Sequence, residues 1–486
     1  MEWLNDIKLN IEEATIKEMA EALEKKTIDS RTLVLAYMKR IADLDKGGPM
    51  LNSVLEINPD ALHIAEALDR ERQLTGPRSL LHGIPIMIKD NINTHDKMHT
   101  SAGSLALADN YAPYDAFMAE KLRAAGAIIF CKTNLTEFAN FMTEKMPNGY
   151  SSRGGQVLNP YGLGKFDTGG SSSGSAVAVA ACLCAAAVGT ETSGSIISPA
   201  CSNSIVGIKP TLGMISRTGI VPIAHSQDTA GPMARTVEDA AILLNALTGI
   251  DFADPVTYKS KDNIHLDYTQ FLDIDGLKGT RIGVPKYIYK DLIGEELEMM
   301  YQCIAEMKQL GAEVVEDKDL DSYEKINDYD VLVYEFKTNL NAYLNTLGGS
   351  TKMKTLKDII EYNNNHAEKT LKYGQTILEH CEATSGTLTE PEYIIAKLQD
   401  LRLSTTDGMD AFMIENKIDA FLFPSTAGVS MSAKAGYPSI AVPAGYQKDG
   451  RPFGITFTAG AFSEPTLIKI AYAYEQGTKK RVKPKL

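Results

Sequence analysis

Tryptophan occurs once and cysteine six times in 486 residues, and what is scarce removes several classes of protein. The cysteines, at 131, 182, 184, 201, 303 and 381, form no C-x-x-C pair, so neither a thiolate zinc site nor a dense disulfide framework is indicated. Reduced thiols in a cytoplasm are the expected state; a secreted or periplasmic location is expected only if a signal peptide has been removed. The opening residues Met1–Asn10 carry acids and lack the apolar core of a secretory signal. No apolar run reaches the ~20 residues that span a bilayer, and the longest, Ala176–Val188, is built of small residues and reads as a buried helix. Basic residues are in deficit: 62 acidic against 49 basic side chains give a net charge of -13. That balance repels phosphate backbones and anionic lipid, so neither nucleic acid nor a membrane is an expected partner. Repeats of fixed period and low-complexity linkers are missing too.

What remains is a composition, 44% apolar and 23% charged, able to bury a large core. Up to about residue 80 the chain is helical in pattern, including a helix that Ser30 is expected to cap and that carries Leu33, Val34, Tyr37 and Ile41. Ile84, Ile86 and Ile88 alternate into a strand ending at Lys89-Asp90-Asn91. Phe117–Ala124 followed by Ile128–Phe130 is a helix-then-strand unit, repeated at Leu297–Leu310 with Ala312–Val315 and around Ile414 with Ala420–Phe423. Such alternation predicts a layered α/β fold. One domain over 1–486 is expected, with the chemistry in 81–250 and a charge-rich peripheral helical lobe over 295–407.

The segment from Gly149 to Gly219 holds 13 of the 38 glycines, so backbone geometry is being specified there. Thr168–Ile208 contains one charged side chain, Glu191, yet nine serines. Low charge implies burial, and buried hydroxyls need partners, so a hydrogen-bonded serine network is expected. A phosphate cradle is disfavoured because Gly169–Ser175 lacks the Walker lysine and the G-x-G-x-x-G spacing. Gly170–Gly174 spells G-x-S-x-G around Ser172, but the preceding Gly162–Asp167 is polar and glycine-broken where a nucleophile elbow needs a strand.

Three blocks, Leu81–Ile92, Gly169–Ser175 and Gly189–Ile196, together resemble the amidase signature family, and supporting blocks extend the likeness over nearly the whole chain. The resemblance implies a large mixed β-sheet covered by α-helices on both faces, and hydrolysis of carboxamides without metal or organic cofactor. It also implies a triad of Lys89 as base, Ser171 as bridging serine in a cis peptide, and Ser195 as nucleophile. Thr192, Ser193, Gly194 and Ser195 would form the oxyanion hole, with Asp90, Asn91, Gly170, Ser172, Glu191 and Asp228 in support. The residue types suit this chemistry, because a buried lysine loses its proton readily and a serine needs a base to become nucleophilic. Within the family the blocks look most like the peptide amidases, which implies a peptide carboxamide as substrate and a monomer or homodimer. Broad aryl or aliphatic amidase or esterase activity, the glutamine-hydrolysing subunit of a tRNA-dependent amidotransferase, and a non-catalytic binding protein are the alternatives. This chain departs from the family pattern at Glu191, Ser193 and Ile197, where aspartate, glycine and arginine are usual. The missing arginine puts the loop's usual ion pairing in question.

Overall fold

The computed structural model describes residues 9–326 and 329–486; residues 1–8, most of the opening acidic segment, lie outside it. In chain order the strands are β1 (Val54–Ile57), β2 (Pro85–Lys89), β3 (Ile128–Thr133), β4 (Tyr150–Ser151), β5 (Gly155–Gln156), β6 (Ala186–Glu191), β7 (Val206–Lys209), β8 (Thr229–Ala234), β9 (Arg281–Pro285), β10 (Glu313–Lys318), β11 (Ala420–Pro424), β12 (Ser439–Tyr446) and β13 (Pro452–Thr458). β4 and β5 form a small hairpin, and the other eleven make one sheet in the order β1-β3-β2-β6-β8-β7-β12-β13-β11-β9-β10. β2 runs parallel to β3 and β6, whereas β6, β8, β7 and β12 are successively antiparallel to one another, so the sheet is mixed.

Every residue of β2, β3, β6, β8, β11 and β13 is buried. Burial on both faces is what helical layers on either side impose, and it explains apolar runs in place of simple alternation. Ile86, Ile88, Ile128 and Phe130 are wholly inaccessible, each stabilising the core by ~1.5–3 kcal/mol. That anchorage carries Lys89, the last residue of β2, into the interior with its strand.

The structure corrects two local expectations. Ala176–Val188 is not one helix: a helix over Ser173–Ala180 stops, Cys182 takes the left-handed conformation at φ 57°, and Ala186 begins β6. All of these positions are buried, so no amphipathic period marked the break. The helix Ser30–Arg40 is capped by Asp29, whose carboxylate accepts from the Thr32 amide at 2.7 Å; Ser30 is its first residue.

Within 295–407, the helix Glu295–Gln309 and β10 belong to the main sheet and its core through Met300, Cys303 and Met307. A second apolar cluster starts at the helix Asp330–Thr346, where Phe336, Leu340 and Leu344 pack with Leu356 and Ile359. It closes against Phe138, Met142, Val221 and Ile223, from loops that follow sheet strands. These helices thus cover the end of the sheet where Lys89 emerges.

Candidate active site

Lys89 Nζ, wholly buried, donates to Ser171 Oγ at 2.8 Å and to Thr190 Oγ1 at 2.9 Å, with the Thr190 carbonyl farther off at 3.3 Å. β2 pairs with β6, Ile88 opposite Val188, and this register sets Lys89 beside Thr190. Burial pushes the lysine down to about 7, opposed by the negative fields of Glu191 and Asp228. The amine therefore reaches its neutral form near neutral pH.

Ser171 follows a cis peptide bond from Gly170, and its carbonyl accepts from the Thr136 amide at 3.0 Å. A side chain at Gly170 would meet Asn148 Oδ1 at 2.4 Å and Thr136 Oγ1 at 2.8 Å, so both of those side chains would have to shift to admit one. Ser172 is no exposed elbow nucleophile: its hydroxyl donates to the Thr190 carbonyl at 3.1 Å and accepts from the Thr190 amide at 3.2 Å. The predicted serine network is present, with Ser173 Oγ on the Gly169 carbonyl at 2.6 Å and Ser175 Oγ bonded to Thr133 Oγ1 at 2.7 Å.

Ser195 is drawn to the same place by its carbonyl, which accepts from the Ser172 amide at 3.1 Å. Among the described residues its hydroxyl shares no hydrogen bond with Ser171. Proton-transfer bonds of unliganded sites are often long and tighten in the complex. Among the described residues no acceptor takes the amides of Thr192, Ser193, Gly194 or Ser195. Gly194 has φ +81°, and a Cβ there would meet only Val429 at 3.4 Å. Backbone conformation, more than crowding by the protein, is what calls for glycine. Ser193 is partly exposed while its neighbours are buried.

The supporting residues separate into two groups. Asn91 donates to Thr190 Oγ1 at 3.0 Å, Glu191 Oε2 accepts from the Ile196 and Ile197 amides at 2.7 and 3.0 Å, and Asp228 Oδ1 accepts from Thr192 Oγ1 at 2.5 Å. Asp90 turns away, accepting from the Ser101 hydroxyl and from the Gly103 amide at 3.1 Å. Burial pushes Asp90 up to about 6 and Asp228 up to about 7. Ile197, where arginine is usual, is fully buried in the core, and Glu191 binds backbone amides in place of a cation. Thr190 is one residue whose role sequence reasoning missed: it touches Lys89, Asn91 and Ser172 together. Its place directly before Glu191 in a polar strand end was the available signal. Asn91, Thr190, Thr192 and Asp228 line one narrow cleft, so partners of the lysine and the start of the 192–195 turn face a common space.

A buried lysine bonded to a serine hydroxyl, at the end of a mixed sheet and beside a glycine turn, is an arrangement able to activate a hydroxyl for acyl transfer. The chain belongs to the Amidase family, whose profile matches residues 32–468. It is 41% identical to a probable amidase of Arabidopsis thaliana over 98% of this chain and 92% of that one. Its fold is similar to the native peptide amidase of Stenotrophomonas maltophilia, with TM-score 0.93 and 43% identity over 98% and 99% of the two chains. It is also 35% identical to a glutamyl-tRNA(Gln) amidotransferase subunit of Pseudomonas savastanoi, over 96% of this chain and 97% of that one. No described helix is long and apolar enough to cross a membrane.

Proposed function

We propose that this protein hydrolyses the terminal carboxamide of peptides through an acyl-enzyme on Ser195. Neutral Lys89 takes the Ser171 proton as Ser171 takes that of Ser195, and the freed oxygen attacks the amide carbon. The oxygen that turns negative is met by amides of the turn Thr192–Ser195. The proton returns along the same relay to the departing ammonia, and water then releases the acid by the reverse steps. The observation that carries this reading is the 2.8 Å bond from a fully buried, low-pKa Lys89 to Ser171. Likeness to a peptide amidase at 43% identity over almost the whole chain supports the substrate class.

The test compares rates on peptide carboxamides, free amino-acid amides and anilides, together with a fluorophosphonate probe mapped by peptide mass. Peptide carboxamides should be turned over fastest and the adduct should fall on Ser195. Faster anilide or ester cleavage would instead make it a broad amidase. Adduct formation with no hydrolysis by the isolated chain, restored on adding partner subunits, would favour the amidotransferase reading that the 35% relative raises.

A further inference from the structure

Thr192 is gripped twice by consecutive residues leading into β8. Asp228 accepts from its hydroxyl at 2.5 Å, while Gln227 Nε2 donates to its carbonyl at 3.2 Å. Both gripping residues are buried, and neither can drift. The Gln227 and Asp228 amides each donate to the Ala224 carbonyl at 2.9 Å, and Asp228 Oδ2 accepts from the Ile223 amide at 2.9 Å. Ser226, in the same turn, donates its amide to Glu335 Oε2 at 3.0 Å. The turn 223–228 is therefore a rigid block.

The Thr192 carbonyl and the Ser193 amide belong to one peptide plane, and that peptide is trans. In a trans plane the C=O and N–H point in opposite directions. Fixing the carbonyl towards Gln227 thus fixes the Ser193 N–H away from it, and among the described residues nothing accepts from that amide. A glutamine amide does this work without adding charge near Lys89, whose low proton affinity comes from burial against the opposing fields of Glu191 and Asp228.

We propose that Gln227 is a positioning residue which, by holding the Thr192 carbonyl, aims the Ser193 amide at the oxygen that becomes negative in the tetrahedral intermediate. The proposal rests on Ser195 being the nucleophile. In this role Gln227 acts through the Thr192 carbonyl, so its effect should appear only where charge develops.

Gln227→Met keeps the length of the side chain and removes the donor; Gln227→Leu is the second variant should the first fail to fold. In the full-length protein, kcat on a peptide carboxamide should fall about 10- to 100-fold, less than the loss of an oxyanion donor itself. KM should stay within about 3-fold. A peptide aldehyde, whose adduct with Ser195 carries the same oxyanion, should weaken by the factor lost in kcat/KM, whereas the product peptide acid should bind as before. A kcat within about 2-fold of the parent in a folded variant, or equal weakening of aldehyde and acid, overturns the proposal. A parent protein with neither turnover nor a Ser195 adduct would fail the nucleophile reading itself, before Gln227 comes into question.

Discussion

Lys89 and Lys132 sit on adjacent strands, both wholly buried, and their surroundings prepare them for opposite roles. Lys132 Nζ donates to the Ile92 carbonyl at 2.6 Å and to Thr100 Oγ1 at 2.8 Å, within the fields of Asp90, Asp96 and Asp115. Its closest partner can only accept, so the setting favours an ammonium, and burial, with Arg123 opposing the carboxylates, brings it down to about 8. Lys89 has two hydroxyls as its closest partners, and a hydroxyl can accept from an ammonium or donate to an amine. Burial brings it to about 7. One lysine is a structural tie; the other is equipped to lose and regain a proton.

The sharpest test removes each ammonium in turn. Lys89→Met should lower kcat by about 10⁴-fold or more, the upper range for losing a general base, with the fold intact by circular dichroism. Lys132→Met should leave turnover per folded molecule nearly unchanged and lower the melting temperature, because the buried Ile92 carbonyl and Thr100 hydroxyl lose their donor. Equal kinetic losses in two folded variants would erase the distinction.

The next largest effect separates the hydroxyl partners. Ser171→Ala should cost about 10²- to 10⁴-fold in kcat, since it cuts the proposed relay between Lys89 and Ser195. Thr100→Val, which removes the corresponding hydroxyl from Lys132, should change kcat little. A Ser171→Ala enzyme with parental kcat would show that the 2.8 Å bond is structural only.

This contrast also shows why parts of the site were legible and others were not. The strand ending at Lys89, the helix Phe117–Ala124 and the glycine-serine blocks are local patterns, and the structure reproduces them. The α/β class followed from alternating units, and the mixed sheet from the family resemblance. Thr190 and Gln227 went unnoticed because their partners lie 101 and 35 residues away in sequence, and a lone threonine or glutamine carries no periodic signal. Ala176–Val188 was misread since every position is buried, which removes the amphipathic cue that tells a helix from a helix-turn-strand. Asp29 in place of Ser30 is a one-residue ambiguity between two good capping residues.

A smaller effect concerns the pH profile. The kcat/KM of the parent should rise as pH passes about 7 and then level off, following neutral Lys89. In Thr190→Val one acceptor for the ammonium is gone while burial remains, so the midpoint should move to lower pH and the plateau should fall about 10-fold. A midpoint moved upward would mean that Thr190 mainly donates to the amine.

The smallest effect is on stability, and its sign follows from the same lysine. Lys89 has a folded pKa of about 7 against an ordinary value of 10.5. Between these values the unfolded chain holds a proton that the folded chain has released, so stability rises with pH across that window. Below about 7 the burial penalty is present in full, and above 10.5 it has vanished. Lys89→Met has no such proton, so relative to the parent it should be more stable at pH 7, by a few kcal/mol at most, and should lose that advantage as pH rises towards 10. Urea melts at pH 7 and pH 9.5 measure the difference. Lys132→Met should show a smaller change between the two pH values, its window being about 8 to 10.5, on top of a loss at both. If the Lys89→Met advantage were the same at both pH values, the lysine would keep its ordinary proton affinity when folded, and the hydroxyl cage around it would not be what separates the two lysines.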